Sequence, residues 1–508
     1  MDLLVNLWGG FAAVLTLEHL LYILLGVTIG TFIGVLPGIG SMAAISMLLP
    51  VTFYLSPSSA LILLAGVYYG AEYGGSITSI LLNIPGTPSS AVTCLDGHPM
   101  AMSGRAGVAL FITAVASLIG SSVAIFFLTV AGPALGRMVL NFGPAEYFAV
   151  ILFGLIASAT ITNGSTLKAL AMVLFGMLLG FVGMDINSGV ARFTFGIPEF
   201  FDGIHLIVLA MGLFGVSEIM RSMVMRSGSL ATSRVSLKSM IPSRHDVRAA
   251  VWPIARGTGV GSFLGALPGA GQTISSFVAY ALEKRVSSNP ERFGNGAIEG
   301  ISAPESANNA AALTAFIPTL TMGIPGSAVM ALMLGALLIH GITPGPNFVT
   351  DNSDLFWTLI ASFWVGSMLL VVLNIPLIGI WVRILRVPYH WMFPLIILLI
   401  CIGVYSVNNS LFDVGLALVL GVMGVFLRAY GFEMAPVLIG FILGPMLEQY
   451  FRRAMQLGRG DLEYFVSSGI SVFFLAATLG LLVLSAFGAV RASRARLRSE
   501  NKMSENLL

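Results

Sequence analysis

Between residues 106 and 131 the chain reads AGVALFITAVASLIGSSVAIFFLTVA, without one charged side chain. A helix needs roughly 20 apolar residues to cross the hydrocarbon of a bilayer, and this run suffices. Comparable stretches lie near 11–35, 41–54, 58–84, 145–160, 167–183 and 203–220. Others follow near 256–282, 298–321, 326–342, 354–382, 391–406, 412–428, 433–447 and 464–490. They are continuously apolar and do not alternate, so they read as helices and not as strands of a barrel. Only 9% of the residues are charged, against about 25% in soluble domains. Mean hydropathy is +0.93. Some stretches are too short or too interrupted to cross. The expectation is an all-α polytopic membrane protein with roughly 11 to 14 spanning helices plus re-entrant or broken ones.

Several function classes fall away. The net charge is +2 and no basic–aromatic module is present, which argues against nucleic acid as a partner. Cys94 and Cys401 form no CxxC and read as two unpaired small residues. There is no HExxH, no serine motif matched with a suitable histidine and no GxxxxGK[ST] phosphate loop. The chain therefore reads as neither an enzyme nor an ATP-driven pump, with no cofactor. His19, His205, His340 and His390 lack metal spacing, and Asp96 and His98 read as parts of a solvated Gly-rich tip. Residues 1–20 lack a basic leader region, so the first apolar segment reads as a retained span.

Charge distribution suggests an orientation. Residues 221–256 hold Arg226, Arg234, Lys238, Arg244 and Arg248 against the one acid Asp246. The tail holds Arg491, Arg494, Arg496, Arg498 and Lys502. Both are expected to be cytoplasmic. The expected organisation is a first membrane repeat (1–220), a basic cytoplasmic connector (221–255), a second repeat (256–490) and a basic tail (491–508).

The repeats announce themselves in GTFIGVLPGIGS (30–41) and GSFLGALPGAGQ (261–272), where glycine and proline interrupt apolar sequence twice in the same way. After the first interruption the next polar tip, YLSPSS (54–59), is uncharged; after the second, EKRVSSNPERF (283–293) is basic. The following tips reverse this bias, with Arg105 in 96–107 and no Lys or Arg in 340–354. Equivalent tips with opposite bias point to two repeats of inverted topology.

A second matched pair of breaks joins the first. The set comprises Pro37-Gly38 with Gly40, Pro268-Gly269 with Gly271, Pro85-Gly86 and Pro325-Gly326. Broken helices in mid-membrane expose N–H groups that suit carboxylates and carbonyls that suit Na+, here expected near Gly38 and Gly269. Ser41, Thr87, Ser89, Ser90, Gln272, Thr273 and Ser327 would add donors, and Asn83, Asn308 and Asn309 further polar ligands. Glu72 in YYGAEYGGS and Glu305 in SAPESANN are intramembrane carboxylates, and such groups mark permeation pathways. Kinks and close packing are the competing explanation of a single break; their duplication favours a site.

These blocks also carry a resemblance. LPGIGSMAAISMLLP, YYGAEYGGSITSILLNIPGTPSSAVTCLDGHPMA, LPGAGQTISSF and GISAPESANNAAALTAFIPTLTMGIPGSAVMALML resemble the large membrane subunit of the tripartite tricarboxylate transporters, the TctA family. The likeness implies a bacterial inner-membrane secondary transporter for tricarboxylates such as citrate, or for other organic carboxylates. It implies a small membrane subunit (TctB-like) and a periplasmic substrate-binding protein (TctC-like) as partners, and a Na+ or H+ gradient as driving force. The alternatives are an anion channel lined by broken helices, a carrier for another solute and, less favoured, an intramembrane enzyme.

Overall fold

The computed structural model describes residues 2–36, 39–139, 142–160, 165–185, 188–224, 235–267, 271–345, 347–384 and 389–505. Pro37, Gly38, Pro268, Gly269, Arg226 and Arg234 therefore lie outside the described residues, as do the two expected Na+ positions. The described residues are overwhelmingly helical. The apolar run 11–35 is not one span: α1 (Asp2–Val14) gives way to α2 (Leu17–Val35), whose N-cap Thr16 accepts from the His19 amide. Then come α3 (Gly40–Thr52), α4 (Pro57–Leu82), α5 (Thr93–Met100) and α6 (Ala106–Val139). Helices α7 (Pro144–Thr160) and α8 (Thr166–Gly180) precede a small antiparallel hairpin of β1 (Gly183–Met184) and β2 (Ala191–Arg192). The chain continues through α9 (Leu206–Ala210), α10 (Ser217–Val224), α11 (Arg244–Gly265), α12 (Gly271–Val286), α13 (Glu299–Thr314) and α14 (Phe316–Met322). After them lie α15 (Ala328–Ile339), α16 (Phe348–Asp351), α17 (Ser353–Asn374), α18 (Ile378–Ile384), α19 (Tyr389–Asn408) and α20 (Leu411–Ala429). The last two are α21 (Ala435–Leu457) and α22 (Gly469–Glu505).

Five described helical segments are long and apolar enough to cross a membrane: Leu17–Val35, Thr93–Ala134, Ser353–Asn374, Leu411–Ala429 and Gly469–Phe487. Other apolar helices are shorter.

Two compact units emerge. One comprises Met1–Leu140 with His205–Phe426, the other Asn141–Ile204 with Leu427–Leu508. In the second, α8 and α21 touch backbone to backbone: a Cβ on Gly176 would stand 2.0 Å from the Val437 carbonyl, and one on Gly440 2.1 Å from that of Val173. The β-hairpin is fastened to α21 by Arg192, which pairs with Asp185 and Glu448, and by Arg452, 2.9 Å from Asp185 and 2.6 Å from Glu448.

The first unit contains the internal repeat, and glycine ladders reveal its register. On α2, a Cβ at Gly26, Gly30 or Gly34 would stand 2.5, 2.3 or 2.2 Å from the carbonyls of Leu63, Val67 and Ala71. On α11, a Cβ at Gly257, Gly261 or Gly265 would meet Ala303, Ala307 and Ala311 carbonyls at 2.2, 2.2 and 2.5 Å. Partner numbers rise together, so α2 runs parallel to α4 and α11 parallel to α13. Such small-residue stripes let helix backbones approach closely. Shifting 26, 30 and 34 by 231 gives 257, 261 and 265, and shifting 63, 67 and 71 by 240 gives 303, 307 and 311.

Because α2 and α4 are parallel, α3 must return between them. The starts of α2 and α4 are tied together, His19 Nε2 lying 3.2 Å from Ser58 Oγ and Ser59 Oγ donating to Glu18 at 2.8 Å. The chain therefore reverses between the end of α2 and the start of α3 and does not continue onward. Helices α2 and α3 form a hairpin, as do α11 and α12, where Arg256 pairs with Glu283 at 2.6 Å. Of the re-entrant and broken helices that the sequence allowed, α2–α3 and α11–α12 take the re-entrant, hairpin form.

Two ends of this unit can be distinguished. At one, the His340 ring meets the Thr52 carbonyl beside the starts of α2 and α4. At the other, Arg105 pairs with Asp246 at 2.7 Å, and Asp96 accepts from the amides of Gly294, Gly296 and Ala297 at 2.8–2.9 Å. The second tip of the first repeat thus sits beside the first tip of the second, as antiparallel repeats require. Asp96 is also a correction: it is wholly buried on α5, with Tyr280 Oη donating to it at 3.0 Å, and shapes no solvated loop. His98 is likewise helical, 3.2 Å from the Ile80 carbonyl. The chain turns later, at Gly104, whose φ of +79° suits glycine.

Candidate functional site

Helix α4 carries Glu72 at the level where α2 reverses, since Ala71 abuts Gly34. A second reversal follows α4. Asn83 ends that helix with a left-handed backbone (φ 55°), and Gly323 does the same for α14 (φ 72°), 240 residues later. Each IPG loop then folds back: a Cβ on Gly86 would stand 2.3 Å from the Gly34 carbonyl, and one on Gly326 3.4 Å from that of Gly265. Gly40 (φ +72°) and Gly271 (φ +58°) occupy matching positions at the starts of α3 and α12.

This fold-back builds a cage around Glu72, which is 1% exposed. Ser41 Oγ donates to Oε1 at 2.8 Å. Ser89 Oγ and Thr87 Oγ1 donate to Oε2 at 2.5 and 3.2 Å. From the second repeat, Gln272 Nε2 reaches Oε1 at 3.4 Å. Ser41 and Gln272 are themselves equivalent positions of the two repeats. An ionised carboxylate out of water is costly unless hydrogen-bonded, and these donors supply that compensation.

Glu305 on α13 is also 1% exposed. Ser76 Oγ lies 2.7 and 2.8 Å from its two oxygens, and Thr93 Oγ1 donates to Oε1. Ser76 stands one turn beyond Glu72 on the same face of α4, so that helix serves both carboxylates. Among the described ion pairs neither Glu72 nor Glu305 has a basic partner. The two are not equivalent in the repeat: the 240-residue shift carries Glu72 to Ala312 and Ala65 to Glu305.

The remaining candidates divide. Asn308, 1% exposed, turns its amide toward Glu72, and its Oδ1 has no hydrogen-bond partner. Asn309 is tied to Ser117 Oγ at 2.7 Å and to the Glu305 carbonyl at 3.0 Å. Ser90 shapes the IPG loop, donating to the Thr87 carbonyl at 2.9 Å and accepting from its amide at 3.1 Å. Ser327 caps α15, accepting from the Met330 amide at 3.3 Å. Thr273 is half-buried beside Gln272, Pro325 is buried and Pro85 exposed. Asn83 is exposed, and its role is to end a helix: asparagine tolerates the left-handed conformation better than other non-glycine residues.

Sequence reasoning missed Ser76 and Thr93. The spacing EYGGS could have found the first; nothing in the sequence announces the second, which reaches Glu305 only because the IPG loop doubles back. Among the described residues no three His, Cys, Asp or Glu side chains gather as metal ligands.

The family model described as tripartite tricarboxylate transporter TctA family matches residues 20–439. The chain is 49% identical over 495 residues to an uncharacterized 52.8 kDa protein of the TAR-I ttuC' 3' region of Agrobacterium vitis, covering 97% of this chain and 98% of that protein. It is 51% identical over 234 residues to an uncharacterized protein of the TAR-II ttuC' 3' region of the same organism, covering 46% of this chain and 97% of that protein. No solved structure gives a significant match.

Proposed function

Because the chain belongs to the tripartite tricarboxylate transporter TctA family, we propose that it is the large membrane subunit of a secondary transporter importing tricarboxylates or related organic carboxylates. A periplasmic binding protein delivers the substrate, a small membrane subunit completes the complex, and a Na+ or H+ gradient drives uptake across the bacterial inner membrane. The basic connector and tail face the cytoplasm in this reading, by the positive-inside rule.

The observation that carries this reading is the meeting of two antiparallel hairpin repeats at a pair of buried carboxylates without basic partners among the described ion pairs. Helices α3 and α12 begin at the same level, and the free N–H groups and partial positive charge of such helix starts suit a substrate carboxylate. Glu72 and Glu305 would repel an anion, so each needs a proton or cation when substrate is present. Coupling then follows from electrostatics: substrate and cation stabilise one another in the same low-dielectric space. Repeats of opposite orientation provide two related conformations, each opening the site to one side.

The test is uptake by proteoliposomes holding the chain, its small subunit and a cognate binding protein. Labelled mono-, di- and tricarboxylates are offered under imposed Na+ or H+ gradients. Saturable accumulation of one carboxylate, dependent on one gradient and on the binding protein, supports the reading. Absence of any carboxylate uptake despite verified insertion overturns it.

A further inference from the structure

Two features of the Glu72 cage remain unexplained by hydrogen bonding alone. The first is an excess of oxygen. Three hydroxyls, Ser41 Oγ, Thr87 Oγ1 and Ser89 Oγ, surround one carboxylate, and Thr87 Oγ1 and Ser89 Oγ are themselves 2.9 Å apart. The second is Asn308, whose buried amide faces Glu72 while its Oδ1 has no hydrogen-bond partner. A buried amide oxygen without a partner costs about 1–3 kcal/mol, so something normally satisfies it.

We propose that Glu72, Ser41, Thr87, Ser89 and Asn308 form a binding site for a single Na+, with ligands from both repeats. Hydroxyls donate or accept by rotating one torsion, so the shell that now donates to Glu72 can present lone pairs to a cation once its oxygens part. The ligands are all oxygens, the chemistry that hard cations take. One carboxylate supplies one negative charge, which suits a monovalent ion over Ca2+ or Mg2+. These oxygens are closed on one another by hydrogen bonds of 2.5–3.2 Å, so an ion must part them to enter, and the smaller Na+ parts them less than K+. A proton would neutralise Glu72 but leave Asn308 Oδ1 unpaired; a cation satisfies both. The pseudo-symmetric position offers no such site, because Ala312 stands where Glu72 would be.

This inference rests on the transporter reading but is tested without transport. Purified full-length protein in lipid nanodiscs is titrated with Na+, with K+ or N-methylglucamine as replacement at constant ionic strength and across a range of pH. Thermal stability and direct binding of 22Na+ are measured. The wild type should show saturable stabilisation by Na+ and bind one 22Na+ per chain. Glu72→Gln should abolish both, and Ser89→Ala or Asn308→Ala should raise the half-saturating concentration on the order of tenfold, as loss of one charge-assisted contact would. If Glu72→Gln fails to fold, the two milder variants decide. An unaltered Na+ response in them, or a wild type that responds to pH and not to Na+, overturns the site. Carboxylate uptake under a proton gradient without Na+ binding would remove the Na+ site and leave the transporter reading. Na+ binding without uptake of any carboxylate would do the reverse.

Discussion

Ser76 illustrates how much one hydroxyl can carry. It lies one turn from Glu72 yet serves Glu305, reaching both of its oxygens. Ser76→Ala should leave Glu305 with the Thr93 hydroxyl as its side-chain donor. The expected cost is about 1–3 kcal/mol of stability, together with impaired uptake. Thermal unfolding and transport assays on the same preparation check this, and Ser76→Thr should recover much of the loss. Asn83 behaves otherwise. Its backbone is left-handed and its side chain exposed, so Asn83→Gly should fold and transport as wild type. Asn83→Val should lose about 1–2 kcal/mol through backbone strain. Lost substrate affinity in Asn83→Gly would restore it to the site.

At the scale of elements, backbone contact decides. Helix α2 lies against α4, and α11 against α13, because glycine recurs every four residues where the neighbour's carbonyl arrives. Gly34→Ala and Gly265→Ala should each destabilise by about 1–3 kcal/mol, since a methyl group would collide with rigid backbone. Gly259 offers a control on α11: a Cβ there would meet nothing within 4 Å. Gly259→Ala should be neutral or stabilise by up to about 1 kcal/mol through helix propensity. Melting temperatures of the three variants would separate a packing role from a general intolerance of alanine. The hairpins themselves depend on these ladders, because parallel packing of α2 on α4 is what obliges α3 to return.

Across the whole first unit, the tip contacts assign equivalent tips to opposite ends. A cysteine at Pro57 should therefore be labelled by an impermeant maleimide from the periplasm, and one at Asn295 only after permeabilisation, in a Cys94→Ala/Cys401→Ala background. Labelling of both from the same side would refute inverted topology. The Asn295 end is held by the Arg105–Asp246 pair and by Ser243, which caps α11 through a reciprocal box with Asp246. Burial would raise the Asp246 carboxyl, but the Ser243 amide and hydroxyl and the Arg105 guanidinium outweigh it and hold it below the ordinary value. A depressed native value means stability that is present above the unfolded-state value of about 3.9 and lost as pH falls through the native one. Asp246→Asn should cost about 1 kcal/mol at neutral pH and flatten that acid dependence, as read from melting curves between neutral and acid pH.

Much of this was legible from residues alone. Apolar run length dictates helices in a membrane, because hydrocarbon tolerates no unpaired backbone. The doubled LPG and IPG blocks reveal two repeats, and charge bias at four tips predicts their opposite orientation. Glu72 and Glu305 stand out because carboxylates are costly in such surroundings. Tertiary structure alone decided that the chain reverses between α2 and α3, since glycine and proline permit a kink or a turn equally and only the register of α2 on α4 chooses between them. It alone brought Thr93 to Glu305, Gln272 to Glu72 and Asp96 to the loop at 294–297, contacts between residues about 200 positions apart in sequence. Local pattern specifies how each segment folds; which distant polar groups meet depends on how the packed backbones close upon one another.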